Sequence, residues 1–294
     1  MLPSNLATSP SDLDYIKEPA QPDQAVLHLT GLACTAELPS HGITEEEDAI
    51  HRLVLWNIDL TLVDVARVSR ATYAEAFAAI AGRPLVQLPQ TAGRSESEIF
   101  FDALALNGVD MRAGGEAEHM LEPFSAELAR ALAARHDELT SQGQLLPGAT
   151  QALAAVAKLD GTVQTVLTGN SRPTAMLKLR AFGLDGFVDF DIGGYGSEAY
   201  PKGTLLRVAR RRAGDKHGVT FGEDATVYIA DSPRDVDAAR IGGARSLAVA
   251  SGRASAAELR EAGADAVLPD LADIGALVTL ITRLAGPEPL AAGA

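Results

Sequence analysis

Short apolar runs recur along the chain at residues 53–56, 163–167, 226–230 and 246–250, with a weaker one at 266–268. Gly, Asp, Ser, Pro or Asn closes each run, and a segment with helical spacing follows. Runs of this length alternating with helices predict a parallel α/β sheet. Ligands gather at the carboxyl ends of the strands in such sheets. The polar residues that end the first three runs, Asn57, Thr168 and Asp231, are therefore expected to meet in one crevice.

Between the first two runs lies an insertion of roughly 90 residues with helical spacing, far longer than an ordinary crossover. Val68, Tyr73, Phe77 and Ile80 mark a first helix over residues 66–81, with Gly82 as its stop. Ser95-Glu96-Ser97-Glu98 reads as a capping box opening a second, ahead of Gly108. Residues 116–138 form a third, longer pattern. An insertion of this kind over the crevice is a candidate lid. Residues 1–50 are rich in Pro, Ser, Asp and Glu and are expected to be a disordered tail, with 26–29 at most a marginal strand. The run Glu45-Glu46-Glu47-Asp48 reads as a solvated charge cluster. The expected division is a core of 51–64 and 146–285, a helical insertion of 65–145, and a flexible C-terminus over 286–294.

Composition narrows the function classes. The chain has 294 residues, 47% hydrophobic and 22% charged, as in ordinary globular proteins. Its apolar runs fall well short of the ~20 residues that span a bilayer, so no membrane segment is expected. The N-terminus lacks a basic start followed by an apolar stretch, so no signal peptide is expected either. A lone cysteine, Cys34, cannot form an internal disulfide, which fits a cytoplasmic protein. The net charge of −14 argues against binding nucleic acid. The six histidines stand singly, without zinc-ligand spacing.

Four segments carry chemistry. The first strand runs into Asn57, Asp59, Thr61 and Asp64. The second ends in Thr168-Gly169-Asn170, a hydroxyl followed by backbone amides that can hold a phosphoryl oxygen. Lys202 precedes a helical pattern and could neutralise charge on a phosphoryl group. Asp231 and Asp235, four apart at the end of a strand, are hard oxygen ligands suited to Mg2+. Each alone has an ordinary structural explanation, such as a turn or a helix N-cap. All four in this order are specific.

Residues 52–271 resemble the haloacid dehalogenase-like hydrolases, in particular the phosphoglycolate phosphatase and β-phosphoglucomutase type. The first motif matches at 53–64, Thr168 matches the second, Lys202 the third, and Asp231 with Asp235 the fourth. The resemblance implies a doubly wound parallel-sheet core with an inserted α-helical cap. It also implies Mg2+ bound by the side chains at 57 and 231 and the backbone oxygen of Asp59, with Asp235 in support. Position 57 would attack phosphorus, Asp59 would serve as acid and then base, and Thr168 and Lys202 would hold the phosphoryl group. Thr61, Gly169 and Asn170 would contribute to binding, with Arg94 and Arg172 as further contacts to an anionic substrate.

Three residues depart from the family pattern. Asn57 stands where the nucleophilic Asp is expected, and a carboxamide carries no charge with which to attack. Leu60 and Ala230 stand where relatives often have Gly. The expected activity is Mg2+-dependent hydrolysis of a small phosphorylated metabolite. The alternatives are a silent phosphatase-like binder of a phosphorylated ligand or partner, and direct attack by water activated by Asp59.

Overall fold

The computed structural model describes residues 51–109, 116–199 and 201–286. The readings made for the N-terminal tail, including Cys34 and the 45–48 charge run, lie outside these residues, as do Tyr200 and the chain beyond Gly286. In chain order the elements begin with β1 (Arg52–Trp56), β2 (Val63–Asp64), α1 (Ala66–Ala81), α2 (Glu96–Leu106), α3 (Glu116–Ala133), α4 (His136–Gln142) and β3 (Gln144–Leu145). They continue with α5 (Ala149–Val156), β4 (Thr162–Thr168), α6 (Arg172–Ala181), β5 (Gly194–Tyr195), α7 (Lys202–His217) and β6 (Thr226–Ala230). The last are α8 (Pro233–Gly242), β7 (Arg245–Val249), α9 (Ala256–Glu261), β8 (Ala266–Leu268) and α10 (Ile274–Leu284).

Six strands form one parallel sheet in the order β5-β4-β1-β6-β7-β8. The central strand β1 is apolar from Leu53 to Trp56 because both its faces are covered. Leu53 and Leu55 pack with Leu205, Leu206 and Ala209 of α7. Val54 and Trp56 face the opposite way, toward Leu153 of α5, Leu179 of α6 and Leu277 of α10. Burying side chains of this size contributes about 1.5–3 kcal/mol each. The Trp56 indole N–H donates to Gln164 at 2.9 Å, so its polar atom is satisfied in the core. Strand order reverses at β1, between β4 and β6, which opens the crevice above it.

The helical insertion leaves and rejoins the sheet through a short antiparallel ribbon, with Val63 opposite Leu145 and Asp64 opposite Gln144. It has its own apolar cluster of Phe77, Phe100, Leu104, Phe124 and Leu128, in which the Phe100 and Phe124 rings stack at 4.3 Å. Gly82 takes the left-handed conformation that ends α1, and the Ser95–Glu98 capping box forms reciprocally at the start of α2. The third helical pattern is in fact two helices, α3 and α4. Arg135 accounts for the break: its guanidinium donates to the Ala131 carbonyl at 3.0 Å and pairs with Glu75 at 2.5 Å, satisfying the helix end. Among the described residues no helix is long and apolar enough to cross a membrane.

Candidate active site

The loop that follows β1 continues the sheet by one bond, from the Asn57 backbone N–H to the Ile229 carbonyl at 2.9 Å. This brings the buried Asn57 side chain to the floor of the crevice. Its Nδ2 lies within donating distance of the Asp59 carbonyl (2.9 Å), Asp231 Oδ1 (2.9 Å) and Thr61 Oγ1 (3.1 Å). Thr61 Oγ1 donates in turn to Asp231 Oδ1 at 2.9 Å. The loop turns at Leu60, whose φ of 60° is left-handed, the region usually reserved for glycine. Ser251 Oγ holds the Leu60 carbonyl at 2.7 Å.

At the other end of the amide, Asn57 Oδ1 accepts from Lys202 Nζ at 3.1 Å. Lys202 also donates to Asp235 Oδ1 at 2.7 Å. Asp235 further accepts from the Tyr228 hydroxyl at 2.9 Å and from Ser232 Oγ at 2.5 Å. Asp235 therefore belongs to the Lys202 side of the amide, and its oxygens are taken up there. Burial first, and then the nearby Asp235 charge, raise the Asp231 carboxyl to about 7.

A third cluster surrounds Asp59. Lys178 Nζ donates to both carboxylate oxygens, at 2.7 and 2.9 Å, and to Asn170 Oδ1 at 2.7 Å. Asn170 Nδ2 lies 2.7 Å from both Asp59 Oδ2 and Thr168 Oγ1. All three protons of the buried ammonium are used, which fixes the direction of the Asp59 carboxylate.

These groups open onto a cavity of about 310 Å³ between the sheet and the insertion. Of the residues predicted from sequence, Asn57, Asp59, Arg94, Gly169, Asn170, Lys202 and Asp231 line it. Thr61 and Thr168 are buried behind this lining and support it by hydrogen bonds. Arg172 turns away, pairing with Asp191 at 2.5 Å, and does not reach the cavity. Arg94 is held by Asp102 at 2.6 Å.

The start of α2 is fastened to the rim of the sheet. The Glu96 N–H donates to the Gly169 carbonyl at 2.7 Å, Ser97 Oγ donates to the Gly196 carbonyl at 3.0 Å, and the Glu96 carboxylate accepts from the Ser171 N–H at 3.1 Å. A Cβ on Gly169 would collide with the Arg94 carbonyl, so only glycine permits this approach. Burial raises the Glu96 carboxyl, and its bonds to Ser125 and Ser171 offset part of that rise.

The family model for haloacid dehalogenase-like hydrolases matches residues 54–240. The chain belongs to this family. Solved structures of similar fold include a hydrolase from Pseudomonas syringae, at 23% identity and TM-score 0.53, covering 78% of this chain and 98% of that one. CbbY from Rhodobacter sphaeroides in complex with phosphate matches at 20% identity and TM-score 0.55, covering 76% of this chain and 96% of that one. An Asp-to-Asn mutant of CbbY in complex with xylulose-(1,5)bisphosphate matches at 19% identity and TM-score 0.55, over the same shares. No curated protein matches the chain.

Within this haloacid dehalogenase-like framework the metal question is one of donors. Asp59 O, Asp231 Oδ1 and Thr61 Oγ1 converge on Asn57 Nδ2, and hard oxygens around one point are the donor type Mg2+ takes. The set fits in kind but carries a single carboxylate. Among the described residues no group of three or more His, Cys, Asp or Glu side chains is placed to hold a metal. The amide nitrogen has two protons and can donate to two of these three oxygens.

Two residues of the site escaped the sequence reading. Lys178 sits on the core-facing stripe of α6 with Thr174, Ala175 and Leu179. A lysine at a position where helical spacing calls for an apolar residue is the signal that would have found it. Glu96 was absorbed into the capping box, yet it is fully buried against the rim.

Proposed function

We propose that the chain is a phosphomonoester hydrolase scaffold for a small phosphorylated metabolite, in which Asn57 withholds the covalent step. The observation that carries this reading is the Asn57 carboxamide itself, bridging Lys202 on one side and Asp231 on the other. A carboxylate in this place would be aimed at a phosphoryl group held by Lys202 and the Thr168–Asn170 turn. It would attack phosphorus, break the ester P–O bond and leave a phosphorylated side chain. The departing alkoxide would take a proton from Asp59 in its protonated form, with Lys178 giving up one of the two carboxyl oxygens. Water, giving its proton back to Asp59, would then cleave the acyl phosphate. The carboxamide lacks the charge for the first of these steps. What remains is positioning and electrostatics, which retain only a residue of the full rate.

Mg2+ is the metal we assign, held by Asp231 and the Asp59 carbonyl, with the Asn57 oxygen joining them once the amide turns over from Lys202. When bound it supplies positive charge opposite the phosphoryl oxygens. The missing carboxylate at 57 makes this binding weak. Residues 51–64 and 146–285 form the core in this reading, and residues 65–145 act as the lid that closes the cavity. A binder that never hydrolyses is the second reading. It is favoured by the hydrogen bonds of the amide, whose nitrogen and oxygen are both engaged.

Phosphoryl transfer to the protein tests the proposal. After acid quench with a labelled aryl phosphate, the Asn57→Asp chain is expected to carry label on residue 57, and the parent none. Label on the parent, or on Asp59, would contradict the assigned roles.

A further inference from the structure

Helix α7 concentrates positive charge in a chain that is otherwise acidic. It holds six cations, Lys202, Arg207, Arg210, Arg211, Arg212 and Lys216, and one acid, Asp215. In the whole sequence acids outnumber bases by 39 to 25. Lys202 is spent in the active site on Asn57 and Asp235. Arg212 pairs with Glu198 at 2.8 Å and Lys216 with Asp189 at 2.6 Å. Among the described residues no ion pair includes Arg207, Arg210, Arg211 or Asp215.

Helix stability does not account for these three arginines. They sit in the middle of α7, while the basic residues that its C-terminal dipole favours are Lys216 and His217. Arg207 stands three and four residues before Arg210 and Arg211, the spacings at which like charges repel across a helix surface. The charges of Glu223 and Asp224 reach Arg210 from the loop that follows, but Glu223 is held by Arg245 at 3.2 Å.

All three line one groove of about 590 Å³, shared with Val219, Thr220 and Phe221. Gly214 and Gly218 continue the same face of the helix and leave that part of the groove without side chains. Backbone alone fixes the Arg210 guanidinium. Its Nε and Nη2 donate to the Phe221 carbonyl, and its Nη1 to the carbonyls of Gly242 at 3.2 Å and Gly243 at 2.8 Å. The charge is held rigid there without being neutralised. Arg207 makes one long bond, from Nη2 to the Ile241 carbonyl at 3.5 Å, and no described residue bonds the Arg211 side chain. A guanidinium has five N–H donors, so nearly all of those on the two exposed arginines are open to a ligand.

We propose that this groove binds a compact oxyanion of charge two or more, of the diphosphate type, through Arg207, Arg210 and Arg211. Guanidinium forks meet phosphoryl oxygens in pairs of charge-assisted bonds. Three arginines against the single Asp215 call for a ligand of that charge. The wall has little apolar surface to offer a carbon skeleton, since Phe221 is only 3% exposed. The groove is separate from the active-site cavity: no described residue lines both. Arg211 lies nine residues beyond Lys202, about 14 Å along the helix axis. What the groove binds is independent of what happens at Asn57.

Nuclear magnetic resonance of the isotope-labelled full chain tests this, with pyrophosphate added at constant ionic strength and without divalent metal. The backbone amides of Gly214, Gly218 and Thr220 report the groove, and those of Asn57, Gly169 and Asn170 report the active-site cavity. The groove amides are expected to shift saturably, with half-saturation below about 1 mM. In the Arg207→Gln/Arg211→Gln variant the half-saturation is expected to rise about tenfold or more, the effect of losing one or two charge-assisted bonds. The amides of the active-site cavity are expected to respond there as in the parent. Asp215→Asn removes the acid of the groove and is expected to bind about threefold tighter. All three substituted positions are exposed, and the spectrum itself shows whether each variant is folded. Shifts that rise without saturating, that appear only at the active-site amides, or that saturate alike in parent and double variant would overturn the site. An Asp215→Asn chain that binds no more tightly than the parent would overturn it too.

Discussion

Lys178 reaches across from α6 to grip both carboxylate oxygens of Asp59, at 2.7 and 2.9 Å, while its third proton goes to Asn170. The pair is asymmetric, because the lysine side chain is 4% exposed and the aspartate 38%. Removing the aspartate strands a buried ammonium, whereas removing the lysine leaves a carboxylate that water can reach. Asp59→Ala is therefore expected to destabilise the fold by about 3 kcal/mol, and Lys178→Met by about 1 kcal/mol. Urea unfolding of the two variants checks the order, and the reverse order would show that Lys178 tolerates its burial without Asp59.

Asp231 makes stability depend on pH. Its folded value of about 7 lies above the ordinary aspartate value, so between the two the folded chain holds more protons than the unfolded one. The contribution of this group to stability is then full at acid pH, falls as pH rises from about 4 to about 7, and is level beyond. Glu96 pulls in the same direction, since burial raises it too. A difference measurement isolates Asp231: relative to the parent, metal-free Asp231→Asn is expected to gain stability across that range and no further above it. Thermal melts in EDTA at four or five pH values would contradict this if the two chains kept a constant difference.

Leu60 is the one described non-glycine residue with positive φ. The leucine holds the conformation that glycine would adopt without cost, and the loop is retained by the bond from Ser251. Leu60→Gly trades relief of strain against lost packing and a more flexible unfolded chain, so its net effect is expected within about 1 kcal/mol of zero. Leu60→Val places a branched side chain where φ is positive and is expected to cost about 1–2 kcal/mol. Denaturant melts of the two variants separate these outcomes, and a harmless valine would show that the loop relaxes.

The strands at the heart of the sheet were legible because each is an apolar run too short for a helix, buried on both faces. The shortest strands were not. Gly194–Tyr195 and the ribbon of Val63–Asp64 with Gln144–Leu145 have only two residues each, too few for any period to show. The insertion's helices announced themselves through Gly82 and the Ser95 capping box, but the break at Arg135 depends on a partner, Glu75, distant in sequence. The first loop, the Thr168 turn and Lys202 could be assembled from order alone. Lys178 and Glu96 could not, since their roles come from burial against residues 119 and 75 positions away. Arg172 shows the converse, a suitable residue type in a suitable place that pairs with a surface aspartate instead.

Asn57 decides what the site can do, and steady-state turnover compares its two states most directly. The parent and Asn57→Asp chains would be assayed with an aryl phosphate, 2-phosphoglycolate and a panel of sugar phosphates, in Mg2+ and in EDTA. Intact-mass spectrometry would exclude deamidation of the parent. The account predicts Mg2+-dependent turnover by Asn57→Asp at about a thousandfold or more above the parent. A parent chain that turns over at a comparable rate with residue 57 still an amide would contradict it, and would leave water activated by Asp59 as the attacking group.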